Sequence, residues 1–224
     1  EASSNITIRN CWFDGDVKGL RADGSSYTGG IVGLLSAGNV SIKHSLVSGN
    51  ASAWKNVGGF IGGAKGTIQV TLEDNLFSGT ILNGSSGHAG QFIGSVEGSA
   101  LTTTEVSITK CFGVSDDVAK DIGVLVSSPT ITGKANTSVK ADRLIGYLGT
   151  GEGLDFINYW VLTKNSTPCL KKFTVAEDVY DGTGINTLLQ LTYWDKTLAN
   201  AEDKGAKYVK FKVLKERYMS ERTI

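Results

Sequence analysis

Carboxylates that could act as an acid–base pair are few in this sequence. Asp14 and Asp16 lie two residues apart, and Asp116 and Asp117 are adjacent. Paired carboxylates cleave glycosidic bonds, and inverting enzymes hold the two carboxyl groups about 6.5–9.5 Å apart. Serine stands at the position of Asp14 in two similar stretches further along, so no row of carboxylates builds up. Because turn chemistry alone favours aspartate beside Gly15, we predict no catalytic residues here.

Histidine and cysteine also offer little chemistry. His44 and His88 are the only histidines, and neither belongs to a nucleophile–base motif or has metal-ligand spacing. We expect surface or capping roles for both. Cys11, Cys111 and Cys169 form no CxxC pair, so we expect buried thiols that pack as small apolar groups. Because phosphate-binding and calcium-binding loops are also missing, we predict neither a metal site nor a cofactor.

The composition limits the possible partners. Lys plus Arg and Asp plus Glu both number 22, so no net charge favours nucleic acid or an anionic membrane. No run of about 18 apolar residues predicts a membrane span. The sequence opens on a strand-like stretch without a signal peptide, so we expect a piece of a larger protein with other domains. Glycine contributes 29 of 224 residues, nearly twice the usual ~7%, which favours a β-rich fold with tight corners.

A glycine-anchored phrase recurs about every thirty residues. It reads TGGIVGLL, VGGFIGGA and AGQFIGSV in its three clearest copies. The copies are joined by segments of variable length, whereas the phrase itself stays in register. Such self-similarity is the signature of a repeat architecture. The successive anchors that we align are Gly29, Gly58, Gly90 and Gly123.

Strand-like stretches alternate with the glycine phrase. NITIRN, NVSIKH, QVTLED and EVSITK place an apolar residue at every second position, which is typical of a half-buried β-strand. Trp12 aligns with Leu46, Leu76 and Phe112, and we expect it in the core. The residues that we expect to stack in one interior row are Ile8, Ile42, Leu72 and Ile108.

One repeat cannot bury its own apolar row, whereas stacked repeats can. Each buried side chain contributes roughly 1.5–3 kcal/mol, so several coils together outweigh the entropy lost on ordering the chain. We predict an all-β fold, a right-handed parallel β-helix of about four to five coils. A β-propeller would need blades of about 40–45 residues, and a β-sandwich rarely keeps a repeated phrase, but both stay open as alternatives. The predicted repeats, within a domain at 1–150, span 5–38, 39–66, 67–98 and 104–129, with a partial copy at 130–149.

Beyond residue 150 the repeat stops and aromatic residues become frequent. Open strand edges at the end of a solenoid invite aggregation, and a segment of different sequence usually covers them. We predict that residues 151–224 form such a cap, small and of α+β type. Apolar spacing predicts a helix at about 184–198, and alternation predicts a strand at about 208–214.

The glycine phrase after an N-x-[ST]-I strand resembles the GLUG-type repeats of bacterial cell-surface and secreted proteins, many of them from gut Bacteroidetes. The resemblance covers about residues 5–149. It implies a right-handed β-helix displayed outside the cell, with an adhesion-related role, and it implies no catalytic set. The fourth copy departs from the pattern near Asp116 and Asp117.

The variable segments between strands favour a binding role. Insertions in solenoids lie on one side and often form the recognition surface. Tyr27, Trp54 and His88 lie in these segments, and aromatic rings there could stack on a sugar or a partner. We therefore predict a non-catalytic extracellular module that binds a host or bacterial surface glycan or protein through these residues. Partial burial of the rings against the neighbouring coil is the simpler alternative.

Two other functions stay open at this point. A polysaccharide lyase or glycoside hydrolase would need acidic and basic side chains clustered on one sheet face or in a groove. A stalk that holds another domain away from the surface would expose smooth polar faces. A binding module needs an exposed surface lined by aromatic residues, so the three functions are separable by the structure of the surface.

Overall fold

The chain is a β-solenoid built of short strands. The computed structural model describes residues 4–20, 26–83, 88–99, 101–114, 120–137, 153–156, 158–163 and 168–174. Along the solenoid, each strand pairs in parallel with its counterpart in the next coil. This confirms the predicted solenoid.

Among the described residues, three coils carry a full set of five strands. The first contains β1 (Asn5–Arg9), β2 (Trp12–Phe13), β3 (Asp16–Lys18), β4 (Tyr27–Gly29) and β5 (Val32–Leu35). The second contains β6 (Gly38–Lys43), β7 (Leu46–Val47), β8 (Asn50–Ala53), β9 (Asn56–Gly58) and β10 (Ile61–Lys65). The third contains β11 (Ile68–Glu73), β12 (Leu76–Phe77), β13 (Ile81–Asn83), β14 (His88–Gly90) and β15 (Ile93–Glu97).

Further strands continue the stack in the described residues. They are β16 (Thr104–Thr109), β17 (Phe112–Gly113), β18 (Ile122–Val126) and β19 (Thr130–Gly133). The strands form five parallel sheets, one for each position in the coil. Sheet I contains β1, β6, β11, β16 and β19, sheet II contains β2, β7, β12 and β17, and sheet III contains β3, β8 and β13. Sheet IV contains β4, β9 and β14, and sheet V contains β5, β10, β15 and β18.

The interior row of sheet I forms as predicted. Ile8 pairs with Ile42, Ile42 with Leu72, and Leu72 with Ile108. The last three side chains are fully buried, and Ile8 packs against the same cluster at the first coil. The alternation of apolar and polar residues therefore sets the register, because a slip by one residue would expose the whole row.

Each coil turns its first corner on a residue with positive φ. Asn10, His44, Asp74 and Lys110 have φ values of 54°, 47°, 54° and 51°. Asn, Asp and His adopt this left-handed conformation more readily than most residues. Each of these residues directly follows a strand of sheet I, so their side chains recur at one position along the solenoid.

The repeated glycine phrase lets two backbones touch. A Cβ added to Gly58 of sheet IV would lie 2.7 Å from the amide nitrogen of Gly94 in sheet V, and one added to Gly94 would lie 2.7 Å from that of Val57. Stacked sheets normally lie about 10 Å apart with side chains between them. Sheets IV and V therefore meet at this corner without side chains, which only glycine permits.

One predicted alignment of the glycines is wrong. Ile122 pairs with Ile93, so Gly123 occupies the column of Gly94 rather than that of Gly90. A Cβ on Gly90 would lie 2.6 Å from the amide nitrogen of Gly123, so these two glycines face each other across the two sheets. The sequence alone could not separate the two glycine columns because both stand in the same short phrase.

Sheet II has an apolar row on its outer face as well. Phe13, Val47 and Phe77 belong to the interior cluster, whereas Leu46, Leu76 and Phe112 are buried outside it. The four other buried apolar residues outside the cluster come from the C-terminal segment and are Leu154, Phe156, Trp160 and Leu170. We infer that this segment covers the outer row, since its contacts, described below, lie beside sheet II.

Trp12 corrects a prediction, because it lies outside the core. It shares the outward row with Leu46, yet 40% of it is exposed. Its indole nitrogen donates to Ser48 Oγ at 2.7 Å, and its ring meets Phe173 with the centroids 6.0 Å apart. Because side chains alternate along a strand, Trp12 and Phe13 must face opposite sides of sheet II. The structure shows that Phe13 faces inward.

The C-terminal segment contains a small antiparallel pair, β20 (Trp160–Leu162) and β21 (Pro168–Leu170), followed by a single 3₁₀ turn at Lys171–Phe173. The predicted helix at 184–198 and strand at 208–214 lie outside the described residues. No helix in the described part of the chain has the length and apolarity to cross a membrane.

Candidate functional site

Two of the three predicted binding residues share one row of sheet IV. Tyr27 pairs with Asn56, and Asn56 pairs with His88. Because neighbouring parallel strands lie about 4.8 Å apart, the α-carbons of Tyr27 and His88 are about 10 Å apart. Tyr27, Asn56 and His88 each stand two positions before a glycine of sheet IV, so alignment of the repeats could have revealed this row.

Tyr27 is partly used inside the protein. Its ring lies over Gly63 of β10, where any side chain would collide with it. Its hydroxyl donates to Glu97 Oε1 at 3.0 Å, and Lys65 Nζ lies 5.4 Å from its ring centroid. Burial, with help from the hydrogen bond to Glu97, raises the pKa of the Tyr27 hydroxyl. Tyr27 therefore keeps its proton at neutral pH and holds the Glu97 side chain in place.

The sequence does not predict Glu97 and Lys65 as site residues, because their spacing does not distinguish them from other charged residues. They pair in register on sheet V, at the end of β15 and β10. Ser95 Oγ also donates to Glu97 Oε1, at 3.4 Å. The outer face of sheet V therefore carries a carboxylate, an amine and two hydroxyls close together, which we call the Glu97 cluster (Tyr27, Lys65, Ser95 and Glu97).

His88 is oriented by Asn56, and its surroundings favour the neutral ring. Its Nδ1 lies 2.9 Å from Asn56 Oδ1, while the Asn56 amide nitrogen donates to the carbonyl of Ser26 at 3.1 Å. Since Asn56 Oδ1 only accepts, Nδ1 of His88 carries the hydrogen and Nε2 keeps its lone pair. Burial lowers the pKa of His88, and the nearby positive charge of Lys55 lowers it further. Nε2 can therefore accept a hydrogen bond from a hydroxyl group.

Trp54 is the most accessible of the predicted binding residues. It lies between β8 and β9, two residues before Asn56, and 46% of it is exposed. The backbone amide of His88 donates to the carbonyl of Lys55 at 2.8 Å, so His88 is held beside the turn that carries Trp54. Trp54, Lys55 and His88 thus lie on one side of the solenoid, which we call the Trp54 surface.

A second polar cluster surrounds Asp74, which is almost fully buried. Asp74 Oδ2 accepts hydrogen bonds from His44 Nδ1 at 2.7 Å and from Trp160 Nε1 at 2.9 Å. Its Oδ1 accepts one from the backbone amide of Asp155 at 2.8 Å. Tyr159 stacks on His44, with the ring centroids 3.6 Å apart. Asp74 therefore fastens the C-terminal segment to the corner of the solenoid.

His44 is half-buried beneath the Tyr159 ring, so it does not stand on an open surface. Burial raises the pKa of Asp74 despite the three donors that oppose the shift. Because the carboxylate serves to dock the C-terminal segment, the pair of His44 and Asp74 is structural.

The other polar residues singled out in the sequence lie apart from these clusters. Asp14 accepts a hydrogen bond from Ser48 Oγ at 3.0 Å and Asp16 one from the Asn50 amide at 2.7 Å, both at exposed positions. Asp116 and Asp117 lie outside the described residues. Among the described residues, no three His, Cys, Asp or Glu side chains are grouped to hold a metal ion.

The cysteines differ from one another. Cys111 is buried as expected, and burial raises the pKa of its thiol to about 12. Cys169 is half-buried, whereas Cys11 is exposed, so the prediction of a buried thiol is wrong for Cys11. Cys11 belongs to the first coil, where no further coil covers it among the described residues.

Comparison of the chain with protein-family models, with curated proteins and with solved structures found no match. The resemblance to GLUG-type repeats therefore stays a prediction. The candidate site consequently depends on the geometry of the Trp54 surface and the Glu97 cluster.

Proposed function

We propose that this chain is a non-catalytic binding module displayed outside the cell, which recognises a host or bacterial surface glycan or protein through the Trp54 surface. The observation that carries the proposal is the exposed Trp54 ring, next in sequence to Lys55, whose backbone carbonyl accepts a hydrogen bond from the His88 amide. An aromatic face combines apolar area with little conformational freedom, which suits both sugar rings and protein side chains. His88 Nε2 and Lys55 supply an acceptor and a donor for a hydroxyl or an acidic group.

A glycan array probed with the labelled chain, followed by titration of the best ligand, tests this proposal. Replacement of Trp54 by Ala should weaken binding by about 2 kcal/mol or more, roughly thirtyfold, because an aromatic anchor dominates such interfaces. Trp12→Ala is the matched control, since Trp12 is also exposed but lies on sheet II. Equal affinity of the Trp54→Ala variant and the unchanged chain would rule out the Trp54 surface.

A polysaccharide-acting enzyme is the second candidate, and the Glu97 cluster favours it. A carboxylate, a tyrosine hydroxyl and an amine lie together on one sheet face, as acid–base chemistry requires. Incubation of the chain with the glycans of the array, with reducing ends measured over time, separates the two functions. The binding module should release no sugar above background. Release that disappears in Glu97→Gln would instead assign the activity to the Glu97 cluster.

A further inference from the structure

In the part of the chain that the structure describes, the first coil leaves one end of the solenoid open. β1, β2, β3, β4 and β5 are the terminal strands of their sheets, and each pairs only with the second coil among the described strands. Within the described ranges, the opposite edge of each strand therefore has no partner strand for its backbone N–H and C=O groups. Such an edge is a template for an incoming β-strand.

Apolar side chains at this end are exposed although their counterparts are buried. Ile6 is 48% exposed, whereas Val40, its partner in the second coil, is 4% exposed. Ile8 and Val17 are only partly buried against the interior cluster, whereas their partners Ile42 and Ala51 are fully buried. The apolar rows of the solenoid thus continue to this end and stop there with one side uncovered.

In later coils, close contact with the backbone of the preceding coil leaves no room for a Cβ atom at certain glycines. Gly15 and Gly33, the equivalent glycines of the first coil, have no such contact. A Cβ on Gly49 would collide with the backbone of Gly15, and one on Gly79 with that of Gly49. A Cβ on Gly15 would meet only the Phe13 ring, at 3.6 Å. Similarly, a Cβ on Gly33 would lie 3.1 Å from the Tyr27 carbonyl oxygen and meet no neighbouring coil. The first coil therefore has the glycine pattern of a coil that packs against a preceding one.

We infer that this end binds a further coil of the same repeat, running parallel to the first coil. The contact would extend the interface that already joins the first coil to the second and the second to the third. A parallel coil in register would set a glycine carbonyl against Gly15 and cover Ile6 and Ile8. An antiparallel strand would reverse the order of its residues and break this match along the edge.

A peptide of residues 38–65, which contains β6 to β10, is the probe for this surface. Fluorescence anisotropy of the labelled peptide should show saturable one-to-one binding to the full chain, and a scrambled peptide of the same composition should not bind. Peptide binding should also slow the alkylation of the exposed Cys11, measured by mass spectrometry, and leave Cys169 unchanged.

The decisive variant is Gly15→Ala, which meets no obstacle in the free chain but would place a methyl group against the docked coil. We expect its affinity for the peptide to fall about tenfold at unchanged thermal stability. Leu82→Ala, an exposed change on β13, should bind as the unchanged chain does. No binding, equal binding of the scrambled peptide, or a dimer in sedimentation that Ile6→Lys dissolves would each overturn the inference.

Discussion

The carboxylate of Asp74 connects the repeat to the C-terminal segment. It lies at a corner with positive φ and accepts three hydrogen bonds, two of them from the C-terminal segment. A buried carboxylate without partners is unfavourable, so the segment and Asp74 stabilise each other. The corner position is what makes this possible, because a left-handed residue directs its side chain away from both flanking strands.

The substitution Asp74→Asn tests this role. Asn tolerates the same positive φ. Its NH₂ group is a hydrogen-bond donor, however, and it would face either the donor of the Asp155 backbone amide or the two donors of His44 and Trp160. We expect a loss of about 1–3 kcal/mol in the free energy of unfolding, measured by urea titration.

Glu73→Gln is the control for Asp74→Asn, because it removes the same charge one residue earlier. Glu73 pairs with Lys43 at 2.6 Å, but both side chains are 36% exposed, so the expected change is at most about 1 kcal/mol. Equal effects of the two substitutions would show that charge, rather than the docking of the C-terminal segment, decides the outcome.

At the scale of elements, the corner between sheets IV and V explains the repeated phrase. Glycines on both sheets bring the two backbones into contact. The same closeness lets Tyr27 of sheet IV reach over Gly63 to Glu97 of sheet V, so the Glu97 cluster depends on this corner. The phrase recurs because each of the three coils that the structure describes in full makes this corner.

Gly94→Ala should destabilise the solenoid. The new methyl group would lie 2.5 Å from the Gly62 carbonyl oxygen and 2.7 Å from the Val57 amide nitrogen, and backbone cannot move aside as a side chain can. We expect a cost of about 1–3 kcal/mol in chemical denaturation. Gly15→Ala, whose Cβ meets only an ordinary contact, should change the free energy of unfolding by less than about 0.5 kcal/mol. Similar losses in both variants would mean that glycine acts through chain flexibility and not through close packing.

At the scale of the whole molecule, stability comes from rows that run through successive coils. Fully buried side chains lie in the middle of the stack, and their counterparts in the first coil are partly exposed. The contribution of an apolar residue should therefore depend on its coil. Ile42 and Ile6 lie in adjacent strands of sheet I, but Ile42 is fully buried and Ile6 is about half exposed.

Ile42→Val removes one methyl group from the closed interior and should cost about 0.5–1.5 kcal/mol, measured by thermal or urea unfolding. Ile6→Val removes the same group from a half-exposed site and should cost less than about 0.5 kcal/mol. If Ile6→Val proved as costly as Ile42→Val, the end of the solenoid would be covered in solution. A covered end would not be free to bind a further coil.

Period-two alternation and the repeated phrase determined the solenoid and the interior row from Ile8 to Ile108, because both are set by neighbours along the chain and by in-register copies. Only the tertiary structure decided which of Trp12 and Phe13 faces inward, where Gly123 belongs, and what covers the outer face of sheet II. The contacts of Asp74 with Asp155 and Trp160 join residues 81 and 86 positions apart. Such contacts unite repeating with non-repeating segments, and no periodicity in the sequence encodes them.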